Sequence, residues 1–277
     1  MRAGVAEAAL LFAIDRRVLA KLEPTVRRVL IVDPNPHSAK LLTDIMKGLG
    51  SKDVAVEIDE ARALRMAASL EPSMVFTEYA GPGLSGEAFA KALRRSNLGC
   101  RRAPIIMATA EATASTIRGA RDAGVHEFLR KPFTSADLFK RVENVALKPR
   151  DWIEGIAYVG PDRRRFNSGE YVGPAKRKND AATPAESVAS IRDQAMRILA
   201  AALDQFDNDP MQATRAVREQ ASTLKKLALK TSDSRLAVAV GALEVSMAAG
   251  APTKATLHPP ITALLDIYPI EQLKRAS

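Results

Sequence analysis

Cysteine, histidine and tryptophan, which build disulfide frameworks, metal sites and aromatic cores, are scarce in this sequence. Its 277 residues include one cysteine, three histidines and one tryptophan. A single cysteine excludes an intrachain disulfide framework and a multi-cysteine metal site, and it fits a reducing compartment. No apolar run approaches the length of a membrane span, and the N-terminal apolar stretch is broken at Asp15 without a cleavage-site pattern. We therefore expect a cytoplasmic protein.

Positive charge is unevenly distributed along the chain. The formal net charge is +9, and two basic clusters lie in a near-repeat of the form Tyr-Val-Gly-Pro-x-basic-basic-basic, which begins at Tyr158 and again at Tyr171. Guanidinium groups bind phosphates bidentately and stack on bases, so the clusters indicate an anionic partner. Cyclic di-GMP, single-stranded nucleic acid and an acidic protein surface all fit, with docking within the chain or a solvated linker as alternatives. The candidate anion-binding residues are Arg163, Arg164, Arg165, Lys176, Arg177 and Lys178.

The middle of the chain alternates short apolar runs with amphipathic stretches. The apolar runs lie at 28–32, 54–58, 74–77, 105–108 and 127–129, and the amphipathic stretches lie at 37–48, 60–70, 86–95, 112–123 and 135–147. Nearly uniform apolarity predicts strands that are covered on both faces of a parallel sheet. Residues 26–148 therefore predict an α/β domain, flavodoxin-like and doubly wound, with a five-stranded parallel sheet.

Three further segments flank this domain. Residues 1–25 carry an apolar stripe that ends at Pro24, which predicts an amphipathic helix that docks on the next domain or pairs with a second chain. Residues 149–184 contain the basic repeat and predict an extended linker. Residues 185–277 predict an α-helical bundle with helices at about 186–206, 210–230, 232–249 and 259–274, the last one following Pro259 and Pro260.

Two functions of such a helical region are not expected. It has no helix-turn-helix pattern, so DNA is not an expected partner. A phosphotransfer bundle needs a histidine exposed in the middle of a helix, and His258 beside Pro259 is expected to lie outside a helix interior. The chain also lacks a phosphate-cradling Gly-Lys-Ser/Thr loop, a nucleophile elbow and clustered metal ligands, so no catalytic residues, metal or cofactor are predicted.

Polar side chains stand where four of the predicted strands end. Asp33 and Pro34 follow the first strand, and Glu78 ends the third strand before a Pro/Gly-rich turn. Thr109 follows the fourth strand, and Lys131 follows the fifth and precedes a proline. Because the carboxyl ends of parallel strands meet at one edge of the sheet, where open α/β sheets place their sites, we expect these groups to lie together.

This pattern resembles the receiver domain of bacterial response regulators, a CheY-like signalling family. The resemblance covers residues 26–148 and implies a role for each matching position. Glu78 stands where the family has its phosphate-accepting aspartate, Thr109 where it has the hydroxyl that senses phosphate, and Lys131 where it has an invariant cation. Phe128 matches the switch aromatic. Pro34 replaces one of two adjacent metal-binding acids, so the resemblance implies a degenerate receiver, or pseudo-receiver.

Three interpretations of Glu78 follow from the longer side chain. Its carboxylate reaches about one carbon–carbon bond further than an aspartate, so it could contact Lys131 or Thr109 as a phosphate would and hold the active conformation. Alternatively, Glu78 pairs with Lys131 only to compensate a buried cation, and the domain does not switch. The third interpretation is residual phosphorylation at the altered site.

The sequence favours a non-enzymatic bacterial adaptor in two-component or phosphorelay signalling, acting by protein–protein interaction. Its expected partners are a histidine kinase, a phosphorelay protein or an output protein, with homodimerisation through the helices. The alternatives are an effector that binds cyclic di-GMP through the arginine-rich segment and a response regulator that is still phosphorylated.

Overall fold

A computed structural model describes residues 16–163 and 184–268. The described residues form two compact units. The first contains residues 16–153 and 158–163, and the second contains residues 154–157 and the C-terminal helices.

The first unit alternates helices and strands along the chain. Its helices are α1 (Arg16–Val26), α2 (Pro36–Gly48), α3 (Glu60–Leu70), α4 (Gly86–Arg95), α5 (Ala114–Asp122) and α6 (Ser135–Leu147). Its strands are β1 (Arg28–Val32), β2 (Asp53–Glu57), β3 (Met74–Glu78), β4 (Ala80–Gly81), β5 (Leu84–Ser85), β6 (Ile105–Thr109) and β7 (Glu127–Arg130), with β8 (Trp152–Glu154) and β9 (Val159–Pro161) after α6.

The main sheet is five-stranded and parallel, in the order β2-β1-β3-β6-β7. Successive side chains of a strand point to opposite faces, so both faces of β1 are covered: Val29 and Ile31 pack in one apolar cluster, and Leu30 and Val32 pack in the other. The first cluster includes residues of α1, α2 and α6, and the second includes residues of α3, α4 and α5. This arrangement confirms the predicted doubly wound, flavodoxin-like domain.

The first helix docks on its own unit. Leu22 and Val26 of α1 are fully buried, and α1 contacts α6. The described part of the helix therefore docks on the next domain, which was the first of the two predicted alternatives. The predicted stop at Pro24 is wrong, since α1 continues to Val26 with the proline inside its last turn. Residues 1–15 of the predicted helix lie outside the described residues.

The beginning of the predicted linker forms regular structure. Strands β8 and β9 pair in a two-stranded sheet, and β9 contacts α4. Val159, Gly160 and Pro161 are all buried. Three arginines surround the ring of Trp152, with guanidinium carbons 5.3 to 5.7 Å from its centroid. The low periodicity of this segment predicted an extended linker. Its described part instead forms two strands, because local packing, which sequence periodicity does not report, holds them in place.

The second unit contains four helices, α7 (Pro184–Gln205), α8 (Pro210–Thr231), α9 (Ser234–Ala248) and α10 (Lys254–Ile267). They share one apolar core, as the predicted bundle requires. Residues 154–157 belong to the same unit: Gln212 donates to the Glu154 carboxylate at 3.1 Å and to the Gly155 carbonyl at 3.0 Å.

The predicted start of the last helix is wrong. α10 begins at Lys254, where Thr253 and Thr256 form a reciprocal cap, and it contains both Pro259 and Pro260. His258 is therefore an exposed residue inside a helix, and the reason for excluding a phosphotransfer histidine does not hold. Among the described residues, no helix is both long enough and apolar enough to cross a bilayer.

Candidate functional site

The ends of four parallel strands converge on one edge of the main sheet. Asp33 follows β1, Glu78 ends β3, and Thr109 ends β6. Lys131 follows β7, and its backbone N–H donates to the Thr109 carbonyl at 2.7 Å. Each polar residue thus stands at or next to the end of a strand whose apolar side chains are buried.

The ammonium group of Lys131 joins the two acids. Its Nζ lies 3.0 Å from Oδ2 of Asp33 and also donates to Oε2 of Glu78. Asp33 is only 2% exposed, and the side chains of Glu78 and Lys131 are 13% and 20% exposed. Burial lowers the pKa of Lys131, but its hydrogen bonds and charge attraction with Glu78 and Asp33 outweigh burial and raise the pKa above 10.5.

The other oxygen of each carboxylate is bonded as well. Oδ1 of Asp33 accepts the Asn35 N–H at 2.8 Å, and Asn35 in turn caps α2. Oε1 of Glu78 accepts the Tyr79 N–H at 2.9 Å. All four carboxylate oxygens therefore have a donor within the chain, and two of them share the Lys131 ammonium.

Pro34 fills the place next to Asp33. An added Cβ on Gly81 would lie 2.4 Å from Cγ of Pro34, so the proline ring packs directly against the turn that follows Glu78. Within residues 16–163 and 184–268, no group of three or more acidic, histidine or cysteine side chains could hold a metal ion. Both acids of this edge are bonded to the Lys131 ammonium, so a magnesium ion, which is usually bound by one or two carboxylates and several waters, would compete with that ammonium for them.

Thr109 and Phe128 have different surroundings. The Thr109 hydroxyl accepts the Glu111 N–H at 3.1 Å, and it bonds neither Glu78 nor Lys131. Phe128 is 5% exposed and packs in the apolar cluster beneath α3, α4 and α5. The edge therefore brings Asp33, Glu78 and Lys131 into contact, while Thr109 shares only a backbone bond with the lysine.

Of the predicted anion-binding residues, only Arg163 lies in the described part of the chain. Its guanidinium carbon lies 4.3 Å from the ring centroid of Tyr158, and Nη1 donates to Oδ1 of Asp122 at 2.9 Å. A nucleotide that used Arg163 would have to replace these two contacts. The others, Arg164, Arg165, Lys176, Arg177 and Lys178, lie outside the described residues.

Sequence reasoning missed a second polar cluster in the first unit, built around Arg94. This side chain is 1% exposed and donates to the carbonyls of Gly124, Arg101 and Ala103 at 2.9, 2.6 and 2.9 Å. Its one sequence signal is its spacing on α4, four residues after Ala90 and eight after Gly86, which are also buried.

Comparison with known proteins agrees with this geometry. The family model of the response regulator receiver domain matches residues 29–143. The chemotaxis protein CheY of Pseudomonas aeruginosa is 30% identical over 118 residues, which cover 43% of this chain and 94% of CheY. The chain belongs to the response regulator receiver family. The DNA-binding response regulator MtrA of Mycolicibacterium smegmatis is 31% identical to this receiver protein over 116 residues, or 42% of the chain.

These matches cover the receiver domain. The chain spans about half the length of the MtrA protein it matches, namely 49%. Among solved structures, the chemotaxis response regulator CheY4 of Vibrio cholerae is 24% identical, with a TM-score of 0.39 over 43% of this chain and 97% of that one. The matched domain is the receiver domain of two-component response regulators.

Proposed function

We propose that this protein is a non-enzymatic signalling adaptor whose receiver domain acts through protein contacts and does not accept phosphate. The contact that carries the proposal is the bond between Lys131 and Glu78. In the receiver family, the position of Lys131 holds the cation and the position of Glu78 holds the phosphate-accepting aspartate. Here the cation is bonded to the glutamate carboxylate that stands in place of the aspartate.

Phosphoryl transfer requires a metal that bridges the phosphate oxygens and a nucleophilic carboxylate beside it. Each oxygen of Asp33 and Glu78 already accepts a hydrogen bond from the chain. Pro34 contributes no metal ligand and packs on Gly81. A magnesium ion would compete with the Lys131 ammonium for both acids, which supports a site that holds neither metal nor phosphate.

Within this proposal, Glu78 is the permanent counterion of Lys131. A mimic of the phosphorylated state would also engage the Thr109 hydroxyl, but that group bonds the Glu111 N–H. The observation favours a domain with one fixed conformation, in which Phe128 stays buried. The adaptor would then present an unchanging receiver surface to a histidine kinase, a phosphorelay protein or an output protein.

The domain plan follows from the same proposal. Residues 26–148 supply the receiver surface, residues 1–25 and 185–277 add docking or dimerisation contacts, and residues 149–184 connect them with the basic repeat. The cytoplasmic location and the cyclic di-GMP alternative stay predictions.

The test is incubation of the purified chain with acetyl phosphate and magnesium, followed by intact-mass measurement. We expect no gain of a phosphoryl group in the wild type. The matched control is the double variant Pro34→Asp/Glu78→Asp, which restores both family acids in the same fold and should bind magnesium. A phosphoryl gain on the wild type, mapped to Glu78, would refute the proposal.

A further inference from the structure

The main sheet of the receiver unit ends in an edge strand with an open backbone. β2 lies at one end of the strand order and pairs only with β1 among the described residues. The Asp53 N–H bonds the residue before β1 at 3.2 Å, and the Glu57 carbonyl bonds the residue after β1 at 3.0 Å. Because successive residues of a strand direct their backbone groups to opposite sides, Val54 and Val56 direct their N–H and C=O groups to the open edge.

The opposite edge of the sheet is partly covered. Arg150, which follows α6, donates to the carbonyl of His126 and to the carboxylate of Glu127 at the beginning of β7. Edge strands are commonly protected by such a cover, by proline or by lysine, since open backbone groups pair with other chains. The residues of β2 include neither proline nor lysine. β2 is therefore the edge of the receiver that can accept an added strand.

A groove of about 380 Å³ lies between β2 and α2. Val56 and Ile58 line it from the strand side and are 42% and 49% exposed. Ala39, Thr43 and Lys47 line it from α2, and the hydrocarbon stem of a lysine can cover an apolar side chain. Alternate side chains of an added strand would enter this groove, because they point to the same face of the sheet as Val56.

The other face of β2 carries negative charge. Neither Asp53 nor Glu57 forms an ion pair within residues 16–163 and 184–268. The nearby bases bond other groups: Lys52 pairs with an acid of α1 at 3.4 Å. Arg28, opposite Asp53 on β1, donates its Nε–H to a carbonyl after α3 at 2.9 Å. Basic side chains of an added strand, placed opposite the two acids, would compensate this charge.

A second copy of this chain fits the open edge poorly. Two β2 strands that pair antiparallel about Ala55 would use their open backbone groups. Asp53 of each copy would then stand opposite Glu57 of the other, and like charges directly opposite destabilise a strand pair. The charge of the edge therefore favours a partner of opposite sign.

We propose that the open edge of β2 binds an extended peptide of another protein by strand addition, with the pattern basic–apolar–any residue–apolar–basic. The apolar residues stand opposite Val54 and Val56 on the face of the groove, and the basic residues stand opposite Asp53 and Glu57. This partner class deepens the adaptor function proposed above and rests on it for its role in signalling. Peptide binding uses no phosphoryl group, so it and the acetyl phosphate experiment can fail separately.

The probe is the acetylated and amidated peptide Lys-Val-Ala-Val-Lys, which has the same pattern in both strand directions. It is titrated into the nitrogen-15-labelled full chain, and the backbone amide resonances of β2 are followed. We expect the amide protons of Val54 and Val56 to move downfield as they gain a bond. The amide proton of Ala55, which faces β1, should move little. The absence of a shift at Val54 and Val56 would refute the proposal.

Charge reversal tests the predicted pattern. Asp53→Lys/Glu57→Lys should weaken binding of this peptide at least about tenfold, since two attractive cross-strand pairs become repulsive. The same variant should bind the peptide Glu-Val-Ala-Val-Glu at least about tenfold more tightly than the wild type does. Asp204→Lys/Asp266→Lys is the matched control, because it changes the net charge equally at exposed positions of the second unit. It should leave binding of both peptides unchanged, and equal effects of the two double variants would overturn the proposal.

Two further measurements separate strand addition from other contacts. The Lys-Val-Ala-Val-Lys peptide with every backbone nitrogen methylated cannot donate to β2 and should not bind. Equal binding of the methylated peptide would mean contact without strand pairing. Amide exchange at Val54 and Val56 in the free chain should be fast and independent of protein concentration. Exchange that slows as the concentration rises would assign the edge to a second copy, and either result would overturn the proposal.

Discussion

Nζ of Lys131 lies 3.0 Å from Oδ2 of Asp33 and bonds Glu78 as well, so one cation links the ends of β1, β3 and β7. The three side chains are mostly buried, and burying a charge costs several kcal/mol unless it is paired and hydrogen-bonded. Asp33, Glu78 and Lys131 therefore form a structural ion cluster, in which each charge depends on the others.

Removal of the cation should destabilise the receiver unit strongly. Lys131→Met leaves two acids close together without their counterion, and we expect a loss of about 3 kcal/mol in the free energy of unfolding. The measurement is native-state amide exchange in β1 and β3, because a chain of two units need not unfold in one transition.

Lys40→Met is the control for that measurement. Lys40 pairs with Asp44 at 3.1 Å, but the two side chains are 76% and 59% exposed. Its loss should cost less than about 0.5 kcal/mol. Equal effects of the two substitutions would show that the Lys131 cluster contributes no more than a surface pair.

Alkaline pH should weaken the same cluster. The pKa of Lys131 in the folded protein lies above 10.5, so between the unfolded and folded values the folded state holds more protons than the unfolded state. The stabilising contribution is complete below about pH 10.5 and decreases as the pH rises through the folded value. Unfolding free energies of the wild type and Lys131→Met, compared from neutral pH upward, should converge at alkaline pH. A constant difference would contradict the assignment.

The receiver fold was predictable because most of its strands are short and apolar, a pattern typical of a sheet that is covered on both faces. The predicted bounds agree with the structure within one residue for the five strands. Asp33, Glu78 and Lys131 lie in contact at one edge of the sheet, since parallel strands bring their carboxyl ends together. The contact between Glu78 and Lys131 was among the interpretations of the sequence. The partner of the Thr109 hydroxyl was not predictable, because it depends on the path of a loop.

The sequence predictions were wrong where packing outweighed a local sequence rule. Proline usually ends or starts a helix, yet Pro259 and Pro260 lie inside α10. The reciprocal cap of Thr253 and Thr256 was the better signal for the start of that helix. The docked copy of the repeat was read as linker because glycine and proline normally mark turns, whereas here Gly160 permits a close contact with Gly124.

Because Pro34 and Gly81 are in contact, we expect the effects of substituting them on the free energy of unfolding to be coupled. Gly81→Ala adds a methyl group 2.4 Å from the proline ring and should destabilise the receiver unit by about 2 kcal/mol. In the Pro34→Ala background the same substitution should cost much less, which a double-mutant cycle on amide exchange measures.

The control for that cycle is Gly241→Ala. Gly241 lies inside α9, and an added Cβ there has no neighbour within 4 Å. Alanine should therefore stabilise the helix by about 1 kcal/mol, because glycine is a poor helix former. Additive effects of Gly81→Ala and Pro34→Ala would mean that the two residues do not constrain each other.

Titration of Tyr158 should report whether the first copy of the repeat is docked. Burial raises the pKa of this tyrosine to about 12, although Arg94, Arg163 and Arg150 lower it in part. Phenolate absorbance should show one tyrosine that ionises near pH 12, and this step should be absent in Tyr158→Phe.

Tyr171→Phe is the matched substitution in the second copy and should leave that step unchanged. Gly160→Ala should return the pKa of Tyr158 toward 10, because a released copy exposes the ring to water. A step near pH 12 that persists in Gly160→Ala would mean that Tyr158 stays buried without the glycine contact. In that case the close approach of Gly160 to Gly124 would not be what holds the repeat on the receiver.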